Sequence, residues 1–333
     1  MPPSDPSLIR GWLEAIGPEL AERVREDVSL RPLTTLRVGG PAERYLRVET
    51  EHELATAAAA AQRIGVSCFV LAGGSNLCIS DRGIRGIVIH NAAQACSIGP
   101  VTYAAAGHGL ILLSLKALEA GLAGLAFAIG IPGSVGGALV SNAGAYRHSI
   151  GPLVRRVLVT HAGETGWVGP EWMQFGYRDS RLRHSGAPAG CLVAVELGLE
   201  PGCADTIRSE ARRYQHNRIW RQPWAPSAGS FFKNVYDAEL AQRVPDLPDD
   251  LRKAGVVPAG YLSQACGCRG LRCGDAQISP RHGNFIVNTG QATASDVRNL
   301  AEEVKRRVME RFGVALEEEV IYAGDWEQWT AAA

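Results

Sequence analysis

Ala126-Phe-Ala-Ile-Gly-Ile-Pro-Gly-Ser-Val-Gly-Gly-Ala-Leu-Val-Ser-Asn-Ala-Gly-Ala-Tyr146 holds no charged residue, and Gly130, Gly133, Gly136, Gly137 and Gly144 leave much of its backbone without side-chain cover. Bare backbone of this kind takes positive φ readily and can turn its N–H groups toward an anion such as a pyrophosphate. Pro132 fixes one turn of the path, and Ser134 and Asn142 add polar side chains. Two other readings meet the same residues. The uncharged run from Ala120 to Tyr146 is long enough to cross a bilayer. Its glycines, Pro132, Ser134, Ser141 and Asn142 argue against a span. A packed glycine-rich core loop without a ligand stays open at this point.

Working outward, two further glycine loops stand N-terminal to this stretch, Gly39-Gly40 and Gly73-Gly74-Ser75-Asn76. No G-x-x-x-x-G-K-[ST] is present, and Gly107-His-Gly109 lacks the third glycine of a dinucleotide fingerprint. A P-loop and a Rossmann cofactor site are thereby disfavoured. Three converging backbone loops can still cradle a pyrophosphate.

The remaining pattern is mixed. A short amphipathic helix is expected before residue 30, then a strand, a turn at Gly39-Gly40 and a strand to Val48. Thr50 and Glu53 form a capping box ahead of a helix on Leu54, Ala57, Ala58 and Ala61, stopped by Gly65. Strands are expected over 66–71, 85–90, 101–106 and 191–199, with a helix over 110–120 and a hairpin over 153–168 turning at Gly163. A basic helix runs from Asp205 to Trp220. Periodicity breaks over 221–227, which marks a domain boundary. Residues 237–258 read as a surface loop or short helix, and a strand follows over 285–287. Thr293 and Asp296 cap a final helix on Val297, Leu300, Ala301, Val304, Val308 and Phe312. A last strand is expected over 319–322, with a frayed tail from Trp326.

The 333 residues suffice for two or three domains. Hydrophobic residues make up 46% and charged residues 20%, the balance of a soluble globular chain. Thirty-four basic residues offset 34 acidic ones, so nothing points to nucleic acid. The N-terminus shows no export signal, and the eight cysteines sit largely in apolar runs, which fits reduced thiols in the cytoplasm. Cys266, Cys268 and Cys273 lack the spacing of a zinc site. No metal is expected.

The ordered motifs are more specific than any one of them. They are Thr34-Thr-Leu-Arg-Val-Gly-Gly-Pro-Ala42, Ala72-Gly-Gly-Ser-Asn-Leu77, Gly130-Ile-Pro-Gly-Ser-Val-Gly-Gly-Ala138 and Asn142-Ala-Gly-Ala-Tyr146. Phe175-Gly-Tyr-Arg-Asp-Ser180, Ser227-Ala-Gly-Ser-Phe-Phe-Lys-Asn234, Ala259-Gly-Tyr-Leu262, Phe285-Ile-Val-Asn-Thr289 and Leu316-Glu-Glu-Glu-Val320 follow in order. From Arg31 to Tyr322 this set resembles the UDP-N-acetylenolpyruvoylglucosamine reductase family. The resemblance implies an α+β fold: a two-lobed FAD-binding domain of the vanillyl-alcohol-oxidase type over 31–220 (lobes about 31–90 and 91–220) and an α+β substrate-binding domain over 221–322. Residues 1–30 form a helical lead-in and 323–333 a tail.

It also implies the chemistry: NADPH-dependent, FAD-mediated reduction of UDP-N-acetylglucosamine enolpyruvate to UDP-N-acetylmuramate for peptidoglycan. FAD is held noncovalently, so His90 and His108 are not attachment sites. Ser230 matches the family's proton donor, Arg178 the arginine that stabilises the substrate carboxylate, and Glu319 the glutamate that completes the set. A planar guanidinium suits a carboxylate better than an ammonium does. Tyr177, Lys233 and Asn234 are substrate contacts. Gly39, Gly73, Gly74, Ser75, Asn76, Gly133, Ser134, Gly136 and Gly137 are the cofactor candidates.

Glu318 replaces a usual proline, so the register that selects Glu319 can slip. Val235, Val256 and Tyr261 also depart from the family pattern. No tyrosine-bearing extra loop is visible, which favours the shorter-loop (type II) form. The expected enzyme is a cytoplasmic monomer without membrane insertion. Two rivals share parts of the pattern: an FAD oxidase or dehydrogenase of the same fold acting on a small alcohol, and a non-catalytic binder of flavin or UDP-sugar.

Overall fold

The computed structural model describes residues 5–184, 190–327 and 329–330. Residues 1–4 of the expected lead-in, and 328 and 331–333 of the expected tail, lie outside the described residues. Contacts divide the chain into two compact units. The first comprises Met1–Val28, Ala42–Gly74 and Ile84–Arg218, and the second Ser29–Pro41, Ser75–Gly83 and Ile219–Ala333. Two short segments from the first quarter of the sequence thus pack with the C-terminal residues.

The first unit holds two hydrophobic cores. One lies between the helices Pro6–Ile16 and Glu51–Ile64 and a four-stranded sheet. In that sheet Pro41–Val48 and Cys68–Leu71 flank Ile84–Asn91, both parallel to it. The alanines of Glu51–Ile64 let Trp12 lie flush, with its indole N–H donating to the Ala57 carbonyl at 3.0 Å. Thr50 accepts the Glu53 N–H, and Gly65 ends the helix at φ +78°. The other core lies against a five-stranded antiparallel sheet in the order Glu164–Val168, Val154–His161, Cys191–Gly198, Val101–Ala105, Cys96–Ser97. Leu110, Leu113 and Ala117 of the helix Leu110–Glu119 face it, as do Val135, Ala138 and Leu139 of Val135–Val140.

The second unit is built on the helix Ala294–Phe312. The residues expected on its inner face are all buried, against the strands Ala276–Ile278 and Ile286–Asn288. Thr293 and Asp296 form the full capping box, and Asp81 adds a second cap, accepting the N–H groups of Ala294 and Ser295 at 2.8 and 2.9 Å.

Several local expectations are corrected. Arg31–Leu33 is a 3₁₀ turn with Pro32 in its first turn, where a missing N–H costs nothing. The last strand is Ile321–Ala323, paired in parallel with Leu77–Ile79, so Glu319 precedes it and strand alternation does not govern its direction. The stretch 237–258 does contain short helices, Ala238–Arg243 and Asp249–Ala254, but it is not purely surface: Leu240, Val244 and Leu247 join the core of the second unit. Trp326 and Trp329 of the expected frayed tail are anchored, since the Trp326 indole donates to the Ala323 carbonyl and the Arg298 guanidinium lies 3.9 Å from the Trp329 ring centre.

Candidate functional site

In the first unit the glycine loops meet backbone to backbone. A Cβ at Gly73 would lie 2.7 Å from the Gly133 Cα, and one at Gly136 would lie 2.9 Å from the Ala106 carbonyl oxygen. Gly74 and Gly133 have φ of +55° and +109°, which other residues take only under strain. The long loop is fixed from below: Leu110 N–H donates to the Gly133 carbonyl, Val135 N–H to that of His108, and Gly136 N–H to that of Ala106. Ser134 caps the helix Val135–Val140, its hydroxyl oxygen accepting the Gly137 N–H at 3.1 Å. This is a cradle of closely approaching main chain, with only the Ala106 methyl group beside the Gly136 contact. Main chain left bare of side chains is the kind of surface against which an anionic group can lie.

Arg178 sits on a tight turn closed by Gly176 N–H to the Asp179 carbonyl at 3.0 Å. Its φ is +52°, a strained value for a non-glycine residue, of the kind found where function over-determines the backbone. Asn142 holds the turn, donating to the Gly176 carbonyl at 2.7 Å and accepting the Gly151 N–H at 3.0 Å. The Arg178 guanidinium donates to the Gly144 carbonyl and lies over the ring of half-exposed Tyr177. Beside it stands Arg218, whose pKa burial lowers and whose guanidinium lies 5.8 Å from the Tyr146 ring centre. Sequence reading treated the basic helix Ala204–Arg221 as a whole and missed this inward arginine. A charge run gives no sign of which member turns inward.

In the second unit the structure brings Ser230 and Glu319 to one residue. Phe231, directly after Ser230, accepts the Glu319 N–H at 2.8 Å and donates its own N–H to the Asn284 carbonyl at 2.7 Å. Phe231 and Phe232 are both 1% exposed, and their rings pack edge to face. Asn76, expected on the cofactor side, donates from its amide to the Glu319 carbonyl at 3.0 Å, and its own carbonyl accepts the Ile321 N–H. Ser75 is its neighbour in the same unit. Gly39, at φ +134°, abuts Ile79.

Two of the three adjacent glutamates form ion pairs with different lysines. Glu317 pairs with Lys233, and Glu318 pairs with Lys305 at 2.9 Å. Lys233, expected to contact substrate, therefore already holds a carboxylate. Asn234, half-buried, follows it. Asn284 was not singled out from the sequence. It stands immediately before the Phe285–Thr289 motif, and nothing local marks it.

Comparison with known proteins gives two family models. One, the C-terminal domain of UDP-N-acetylenolpyruvoylglucosamine reductase, matches residues 222–323. The other, an FAD-binding domain, matches residues 42–163. A UDP-N-acetylenolpyruvoylglucosamine reductase from Desulfosudis oleivorans is 38% identical over 330 residues, covering 95% of this chain and 98% of its own. One from a Synechococcus strain is 36% identical over 315 residues, covering 92% and 94%. The crystal structure of the corresponding reductase from Thermus caldophilus superposes with a TM-score of 0.72 at 37% identity, covering 90% of this chain and 99% of that one.

Proposed function

The chain belongs to the UDP-N-acetylenolpyruvoylglucosamine reductase family, and from that membership we propose that it reduces UDP-N-acetylglucosamine enolpyruvate to UDP-N-acetylmuramate in peptidoglycan synthesis. It is a flavin oxidoreductase with an FAD-binding domain followed by the family's C-terminal domain. When bound, FAD accepts reducing equivalents from NADPH and supplies hydride to the methylene carbon of the enolpyruvyl ether.

Hydride addition leaves negative charge on the carbon next to the carboxylate, and the protein's work is to hold and quench it. Arg178 binds the carboxylate and offsets the developing charge with a planar, always-charged donor. Ser230 delivers the proton to that carbon from its hydroxyl, an act that depends on position because a serine is a weak acid. Glu319 orients the substrate or assists that delivery. Tyr177, Lys233 and Asn234 bind the diphosphate and sugar, with Lys233 exchanging Glu317 for phosphate. The cofactor contacts are Gly39, Gly73, Gly74, Ser75, Asn76, Gly133, Ser134, Gly136 and Gly137. The division into 31–220 for cofactor and 221–322 for substrate belongs to the same reading, as do the monomeric state, the cytoplasmic location and the shorter-loop form. Among the described residues no helix is long and apolar enough to cross a membrane.

The observation that carries the reading is the hold on Phe231, which ties the serine segment to the glutamate segment through one buried peptide. The test is NADPH oxidation by the FAD-loaded protein with and without UDP-N-acetylglucosamine enolpyruvate. Oxidation that requires the sugar and yields a lactyl ether supports the reading. Fast oxygen-driven turnover that ignores the sugar assigns the chain to the alcohol oxidases of this fold. Binding without turnover makes it a non-catalytic binder.

A further inference from the structure

The segment carrying Ser230 meets the strand Ile286–Asn288 upstream of the serine and the residue two places before that strand downstream of it. Upstream, Ser227 pairs with Val287, and Asn288 N–H donates to the Pro226 carbonyl at 2.9 Å. Downstream, Phe231 N–H donates to the Asn284 carbonyl. Between the anchors the Ser230 side holds one residue more than its partner, and Gly229 there has φ +80°. Ser230 therefore lies on a bulge, a device that re-aims one side chain out of a ladder.

A bulge is only as well directed as the anchors that bracket it, and downstream a side chain reinforces the main-chain anchor one residue further on. The Asn284 carboxamide oxygen accepts the Phe232 N–H at 2.9 Å, and its NH₂ donates to the Phe232 carbonyl at 2.9 Å. The residue is 4% exposed. Its amide thus imitates the peptide group of a missing strand residue, satisfying one donor and one acceptor at once. Asparagine is specific here. Aspartate matches it in shape but when ionised has no hydrogen for the Phe232 carbonyl, and glutamine is one methylene too long.

We propose that Asn284 is the positioning residue of Ser230, fixing the downstream end of the bulge so that the serine hydroxyl points at the carbon it protonates. This rests on the reading of Ser230 as proton donor. Asn284 touches no substrate and acts through the Phe231–Phe232 peptides.

The test uses FAD-loaded enzyme reduced by NADPH without oxygen, then mixed with the enolpyruvyl UDP-sugar in a single turnover. In Asn284→Ala, flavin reduction and UDP-sugar affinity stay close to wild type. Flavin reoxidation by the sugar falls about 100-fold, as expected for a misplaced group. Its solvent deuterium isotope effect rises. In a Ser230→Ala background the same substitution adds little, because both act on one step. Asn284→Asp, the isosteric variant, recovers reoxidation as pH falls from about 8 to about 6, where protonation restores the lost donor. It also serves if the alanine variant does not fold.

Wild-type reoxidation in a folded Asn284 variant, or a full additional loss on top of Ser230→Ala, overturns the proposal and leaves the family reading intact. Wild-type reduced flavin that the UDP-sugar does not reoxidise, or Ser230→Ala that behaves as wild type, overturns the functional reading and this inference with it.

Discussion

Gly73 and Gly133 touch so closely that a Cβ on the first would lie 2.7 Å from the Cα of the second. Gly73 lies outside the left-handed region, so alanine there meets a steric obstacle and no torsional one. Gly73→Ala must push the two loops apart, at about 1–3 kcal/mol for overpacking. The expected result is FAD affinity reduced about 10-fold or more, read by quenching of flavin fluorescence on titration. Gly166→Ala, where nothing lies within 4 Å, is the control and should bind FAD normally. Equal affinity in both variants would remove this contact from the cofactor cradle.

Ser230→Ala separates the half-reactions. Flavin reduction by NADPH should proceed near the wild-type rate, while reoxidation by the enolpyruvyl sugar slows about 10²–10⁴-fold, the usual worth of a positioned acid. Stopped-flow absorbance of the flavin follows both phases in one experiment. Equal slowing of the two would sink the assignment.

Arg178→Lys keeps the charge and loses the fork. The strained backbone at φ +52° stays occupied by an L-residue, so folding should change little while recognition of a planar carboxylate fails. Substrate reduction is expected to fall about 10²–10³-fold, comparable to removing a donor from developing charge. Steady-state kcat and KM for the UDP-sugar check this, with NADPH-driven flavin reduction as the internal control. A variant with wild-type kcat would place Arg178 outside the chemistry.

What could be read ahead of the structure was what the chain encodes locally. The Thr293–Asp296 capping box, the turn at Gly163 and the stop at Gly65 each depend on residues within a few positions. The inner face of the last helix follows from its period alone. The family motifs brought Ser230, Arg178 and Glu319 forward. Position in space was another matter. Asn284 meets Phe232 across 52 residues of sequence, so no periodicity announces it. Asn76 belongs by sequence to a glycine loop, yet its amide reaches Glu319. The chain leaves the first unit between Gly74 and Ser75 and so splits one motif across two units. Which of three adjacent glutamates turns to a site is equally non-local: Glu317 meets Lys233 across 84 residues and Glu318 meets Lys305 on the last helix.

The C-terminal segment supplies a stability prediction. Arg298 lies 4.8 Å from the ring centre of Tyr322, 4.7 Å from that of Trp326 and 3.9 Å from that of Trp329. A partly desolvated cation among aromatic faces is worth about 1–2 kcal/mol. Arg298→Ala should therefore lower stability by about that amount, and Arg298→Lys by less. Urea unfolding followed by tryptophan fluorescence gives both values. An alanine variant as stable as wild type would mean that the rings pack as well without the cation.

His282 ties stability to pH. Burial, with Arg269 and Arg221 near it, holds its imidazole down at about 4. Its Nδ1 accepts the Asn284 N–H at 3.2 Å, which requires the unprotonated nitrogen. The ordinary unfolded value is about 6.5, so the unfolded chain binds this proton first as pH falls. The stability contributed by the neutral ring is complete above about pH 6.5 and is lost progressively toward about pH 4, to a limit of about 3 kcal/mol. His282→Asn retains an acceptor and removes the titration. Urea midpoints measured from about pH 7.5 down to about pH 5 should fall for the wild type and fall less for the variant. Parallel slopes would show that other groups set the acid limit. A flatter slope in the variant would place part of the acid sensitivity at the acceptor of the Asn284 N–H.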